Sequence, residues 1–222
     1  MSSNATKRPA GRLLRREPKG DKGKRTKTLI QDAITDLVSV DGLGLSEIKL
    51  DRICKKAGIT VGAFYFHFEN KDAAIQETAV DILDTFKNDV LSLPNRDELH
   101  SELEQIISAY IRLVVDNPKS ARLVYTAIRG SPAVHEFYVD MHYEIADRLE
   151  SLIASETSRV GRNVHDSRLI VEFLLAGIES LVENVYMWNS PRTSDLGHDR
   201  TNLANRLAHI WANIARTEFA DG

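Results

Sequence analysis

Apolar residues recur at helical spacing along almost the whole chain. Leu29, Ile30, Ala33, Ile34, Leu37 and Val38 mark one face of a helix that begins near Thr26. Asp41-Gly42-Leu43-Gly44 ends it, because two glycines so close favour irregular backbone over another turn. A short helix over 48–57 stops at Gly58, a second spans 61–66, and Asn70 caps a longer one carrying Ile75, Ala79, Ile82, Leu83 and Phe86. Leu99, Leu103, Ile106, Ile107, Tyr110 and Val114 mark a helix ending before Asn117-Pro118, and 119–128 forms another before Gly130. Ser131-Pro132 reads as an N-cap followed by proline at the first helical position. That helix runs from Val134 past Ile153 and is broken by Gly161. Residues 166–189 and 199–219 supply the last two. No alternating run suggests a strand, so the expected fold is all-α with about nine helices and no internal repeat.

Residues 1–24 lack this pattern and contain Pro9, Gly11, Pro18, Gly20 and Gly23, which predicts a disordered basic arm. The expected division is therefore an arm over 1–24, a compact unit over 25–72 and a larger helical unit over 73–222.

Charge divides the chain in the same way. The net formal charge over 222 residues is -3. Residues 1–27 carry ten Lys or Arg against two acids, a net of +8, and residues 81–222 carry fourteen against twenty-two, a net of -8. A cationic head on an anionic body suits a polyanion at the head and a different task for the body. The alternative is that the arm is only a solvated tail. One cysteine, Cys54, excludes an intramolecular disulfide framework and a cysteine-cluster metal site. No apolar stretch approaches ~18 residues, and no apolar segment follows the basic N-terminus, so neither a membrane span nor a secretory signal is expected. The expected location is the cytoplasm.

The densest signal lies between Leu50 and Lys71. Ile53 and Ala57 share a helix face, Cys54 is small enough for close helix approach, and Gly58 provides a left-handed turn. Ile59 fills the gap between helices and Thr60 can cap the next one. That helix leads with Gly62 and Ala63, slim enough to enter a DNA major groove. Phe64 and Phe68, at i and i+4, are expected to anchor inward, leaving Tyr65 and His67 near a phosphate backbone. Asn70 and Lys71 open the following helix, whose free amides and dipole favour phosphate. The alternative is that Tyr65 and His67 pack beneath the first helix and that Lys71 is an ordinary solvated lysine.

Taken together, Ile53, Ala57-Gly58-Ile59-Thr60, Gly62-Ala63-Phe64-Tyr65, His67-Phe68 and Asn70-Lys71-Asp72 resemble the tetracycline-repressor (TetR) family of transcription regulators. The detailed resemblance covers about residues 26–76. It implies a recognition helix from Thr60 to Tyr65, with Thr60, Val61, Gly62 and Ala63 facing bases or nearby phosphates. It implies backbone contacts from Tyr65, His67 and Lys71. The family commonly opens the first short helix with a hydroxyl residue. Here Ile48, Lys49 and Leu50 stand there, so Ser46 or Lys49 is the expected substitute, and Asp51 opposes phosphate unless Arg52 or Lys55 compensates. The recognition helix has no Arg, Asn or Gln for bidentate base contact, which leaves thymine methyls, DNA shape or the arm to supply specificity.

The resemblance further implies an effector cavity and a two-fold dimer. Cavity candidates are Phe86, Tyr110, Tyr125 and Phe137, with Tyr138, Met141, His142 and Phe173, a set suited to a mostly apolar organic ligand. The alternative is ordinary core. Residues 168–188 are apolar on most sides, so a helix there must be covered by its own domain and by something more. The expected interface uses Leu174, Ile178, Leu181 and Val185, and Leu203, Leu207, Ile210, Trp211 and Ile214 of the last helix. A monomer core is the alternative. A dimer would present two recognition helices to a roughly palindromic operator.

Enzyme motifs are weak. His135-Glu136 begins like a zinc-protease motif, but Val139 stands where its second histidine belongs, and no nucleophile elbow, P-loop or dinucleotide fingerprint occurs. No cofactor is expected. The expected function is a DNA-binding regulator, a repressor released by a small apolar ligand. The alternative is a helical small-molecule-binding protein or enzyme using the same cavity.

Overall fold

The computed structural model describes residues 20–93, 98–159, 167–188 and 191–217. Nine α-helices occur among them: α1 (Asp21–Ser39), α2 (Leu50–Ala57), α3 (Val61–His67), α4 (Lys71–Leu91), α5 (Leu99–Asp116), α6 (Pro118–Gly130), α7 (Pro132–Arg159), α8 (Ser167–Val182) and α9 (Arg200–Thr217). A short 3-10 turn (Leu45–Glu47) precedes α2, a π turn (Glu183–Met187) continues α8, and a second 3-10 turn (Ser194–Gly197) precedes α9.

Most boundaries follow local chemistry. Gly58 ends α2 at φ 67°, and the amide of Ile59 donates to Cys54 O at 3.0 Å. Thr60 Oγ1 accepts from the Ala63 amide at 3.1 Å, and Asn70 Oδ1 from the Ala73 amide at 2.8 Å, so both side chains cap as their positions predict. Two expectations differ. α1 starts at Asp21 rather than near Thr26. Asp21 lies in its first turn, where a negative charge suits the helix dipole, so Lys22, Lys24, Arg25 and Lys27 ride on a helix. The expected arm otherwise lies outside the described residues, as does Gly161. Ser131 precedes α7, but its buried hydroxyl makes no hydrogen bond; its carbonyl accepts from the His135 amide at 3.0 Å.

Two apolar cores form. The head core packs Ile30, Ile34 and Leu37 of α1 with Ile53, Cys54, Phe64, Phe68 and Ile75. The body core runs from Ala79 of α4 through α5–α9. The expected division at 72/73 therefore cuts through a shared rod, since α4 contributes to both cores. α6 also crosses the junction. Its Leu123 lies in the head core, while Ala121, Val124 and Ala127 lie in the body core. Lys119 pairs with Asp36 of α1 at 2.8 Å. At Gly130 a Cβ would come within 2.8 Å of Leu45, so the end of α6 seats directly on the head.

The far end of α4 is held by a half-buried cation. Arg148 of α7 donates to the carbonyls of Val90, Leu91 and Leu93 at 3.0, 3.0 and 2.9 Å, and its Nε donates to Glu102 of α5 at 2.6 Å. Val90 and Leu91 close α4 and Leu93 lies just past it, so the guanidinium adds donors where intrahelical ones run out and complements the dipole.

Candidate nucleic-acid interface and ligand cavity

Helical phase decides what α3 shows. Phe64, His67 and Phe68 fall at i, i+3 and i+4 and are buried, while Val61, Gly62, Tyr65 and Phe66 are exposed. Tyr65 is 50% and Phe66 67% exposed. His67 is 9% exposed, which departs from the expectation of a backbone contact there. Burial lowers its pKa from the ordinary 6.5, and the nearby Lys27 ammonium lowers it further. Phe66, absent from the expected set, occupies the open face instead, and the same phase argument would have found it.

Gly62 is open rather than packed: a Cβ there would meet only Thr60 Oγ1, at 3.9 Å. Its lack of a side chain serves nothing inside the chain and leaves the leading turn of α3 slim. Lys49 is exposed before α2, Thr60 and Val61 are exposed, and Ala63 is half-buried. Lys71 is half-buried, with its ammonium 3.0 Å from Asp72, so part of its charge is already answered within the chain. Lys27, similarly, pairs with Glu77 at 2.5 Å and Asp81 at 3.5 Å.

A cavity of about 170 Å³ opens in the body between α4, α5, α6, α7 and α8. Six of the eight expected residues line it: Phe86, Tyr110, Tyr125, Tyr138, Met141 and His142. Two do not. The Phe137 ring lies under Lys87, 5.4 Å from ammonium to centroid, and Phe173 points outward, 64% exposed. Aliphatic wall comes from Leu83, Ile106, Val124, Ile145, Leu175 and Ile178.

The polar end of the cavity was not visible in the expected set. It consists of Glu179 and Glu183, with Arg129 as a further lining residue. The Tyr138 hydroxyl lies 2.7 Å from both Glu179 oxygens and donates to that carboxylate. His142 Nε2 lies 2.8 Å from Glu172 and its Nδ1 3.9 Å from Glu179. The Tyr110 and Tyr125 hydroxyls share a hydrogen bond. Burial raises the Glu179 pKa, assisted by Glu183 and Glu172 and opposed by Tyr138 and His142. Burial likewise pushes the phenols of Tyr110, Tyr125 and Tyr138 well above their ordinary range, so all three are neutral donors.

The expected interface residues also separate by phase. Leu174, Ile178, Val185, Leu203, Leu207 and Trp211 are buried within their own chain, and Leu181 and Ile214 are half-buried. Of the nine, Ile210 alone is exposed. The large apolar side chains left exposed in this part of the chain are instead Leu169 and Phe173 of α8 and Trp188 just past its π turn, together with Ile210 of α9. An almost wholly apolar α8 gave no phase from which to choose its inward side. Among the described residues no cluster of three metal-binding side chains occurs, and no helix is long and apolar enough to cross a membrane.

A slim open helix on a helix-turn-helix core, joined through α4 and α6 to a helical body with a cavity, places the chain in the class of all-α helix-turn-helix folds. Comparison with known proteins narrows the class. Residues 43–78 match the family described as bacterial regulatory proteins, tetR family. The chain is 26% identical over 172 residues to the HTH-type transcriptional regulator EthR of Mycolicibacterium smegmatis, covering 76% of each. Its fold is similar to a tetR-family regulatory protein from Rhodococcus RHA1, with a TM-score of 0.68 at 17% identity, covering 86% of this chain and 96% of that one. It is also similar to FadR from Bacillus subtilis in complex with stearoyl-CoA, with a TM-score of 0.62 at 18% identity, covering 83% and 97%. The chain thus resembles TetR-family transcriptional regulators in its helix-turn-helix segment and shares their fold. Members of that family are DNA-binding regulators, not enzymes.

Proposed function

We propose that this protein is a cytoplasmic, homodimeric repressor that inserts α3 into the major groove of a roughly palindromic operator and leaves it when a small organic ligand fills the body cavity. The observation that carries the DNA reading is the open, slim face of α3 at Gly62, flanked by exposed Thr60, Val61 and Tyr65. Phosphate contacts come from Lys49, Tyr65 and Lys71 and from the amide end of α4. The exposed apolar side chains of Leu169, Phe173, Trp188 and Ile210 support a second copy as their cover.

Release follows from the two shared helices. α6 lines the cavity with Tyr125 and Ile128 on one side and reaches the head with Leu123 and Gly130 on the other. A ligand that fits better when α6 and α4 shift would favour a head spacing that no longer matches the half-sites. A cavity of about 170 Å³ is smaller than the roughly 300–1,000 Å³ of ordinary ligand sites. This supports either a small ligand or an enlargement on binding.

Selection of bound DNA from a random library, followed by binding measured against salt, tests the proposal. The expected result is an inverted repeat whose affinity falls steeply as salt rises. Recovery of no preferred sequence would overturn it.

A further inference from the structure

We infer that the cavity takes a lipophilic organic cation, an alkyl or arylalkyl ammonium, with its charge at Glu179 and Glu183 and its apolar body among the α4–α7 side chains. The inference rests on the reading of this cavity as the effector site and adds the sign of the ligand's charge.

The argument is a charge balance around the cavity. Glu179 and Glu183 lie four residues apart along α8 and its π turn, and both line the same space. Glu179 has the Tyr138 hydroxyl and, more distantly, His142 Nδ1 as partners. The hydroxyl is a neutral donor. The imidazole is already engaged by Glu172, which also accepts from Arg168 at 2.9 Å. Arg129 is the other basic residue on the lining, and it is exposed to solvent. Among the described residues the cavity lining therefore holds two half-buried carboxylates and one guanidinium, that of the exposed Arg129.

A carboxylate in such surroundings is costly until a cation meets it. An anionic ligand would add a third negative charge where the local dielectric screens poorly. A cationic ligand meets the deficit, and Tyr110, Tyr125 and Tyr138 add ring faces suited to an ammonium. The remaining wall is hydrocarbon and requires an apolar tail.

Calorimetric titration of the full chain with hexylammonium, 1-hexanol and hexanoate isolates the charge, because the three share a six-carbon tail. The expected result is at least tenfold tighter binding of hexylammonium than of either other probe. Glu179→Gln should reduce this preference at least tenfold, with its fold checked by circular dichroism. Glu183→Gln, measured in parallel, provides a second readout if the first variant does not fold. Hexanol or hexanoate binding as tightly as hexylammonium overturns the inference and leaves the effector reading standing. Binding of none of the three overturns both. Glu179-dependent hexylammonium binding that leaves the selected DNA bound supports the inference and overturns ligand-driven release.

Discussion

The head and the body solve the same packing problem with different resources. The head packs short helices around Ile34, Ile53, Phe64 and Phe68, and it fixes their ends with a left-handed glycine and two side-chain caps. Its polar groups serve turns and surface. The body packs long helices, leaves a cavity among them, and places charge inside: Arg148 with Glu102 at the end of α4, and Glu179 with Tyr138 on the cavity wall. Geometry in the head comes from backbone turns of a few residues. In the body it comes from buried polar contacts between residues 30 to 58 positions apart.

The difference predicts where each region breaks. The largest loss is expected in the body. Arg148→Met removes the guanidinium from Glu102, which is 2% exposed, and from three helix-end carbonyls. Removing one partner of a buried ion pair costs about 3–5 kcal/mol, measurable by urea denaturation. A smaller loss is expected in the head. Gly58→Ala meets no atom within 4 Å, so its cost is that of φ 67° alone, about 1–2 kcal/mol by the same measurement. Equal losses at the two sites would erase the contrast.

The smallest effect is a pH dependence confined to the head. The pKa of His67 is lowered by burial and by Lys27, so the folded head binds fewer protons than the unfolded chain below the ordinary 6.5. Its contribution is complete above that pH and is lost as the pH falls toward the lowered folded value. His67→Gln should flatten this part of the stability profile between about pH 7 and 5. An unchanged slope would place the titration elsewhere.

The same contrast explains what could be read from the chain. Glycine turns, N-caps and an aromatic triplet are local signals, so α2, α3 and the start of α4 were legible almost to the residue. His67 was misplaced because its residue type was weighed above its position three residues after Phe64. The body offered apolar periodicity but little else. Glu179 and Glu183 resemble a solvated helix face in sequence, and only the packing of α5, α6 and α7 against α8 turns them toward a cavity. The arrangement around Arg148 joins α4, α5 and α7, and no local pattern announces it. Where helical phase was clear, burial followed. In α8, which is apolar on most sides, Phe173 and Ile178 could not be told apart.

The central claim is that the open turn of α3 is slim because DNA must approach it. Gly62→Leu tests this with two readings from one variant: thermal stability and affinity for the selected DNA. A Cβ at that exposed position meets nothing closer than Thr60 Oγ1 at 3.9 Å, and leucine replaces a residue about 1 kcal/mol poorer in helix propensity than alanine. The account predicts a melting temperature equal to or above that of the parent, with DNA affinity reduced at least tenfold. Undiminished affinity in a stably folded Gly62→Leu protein would contradict it.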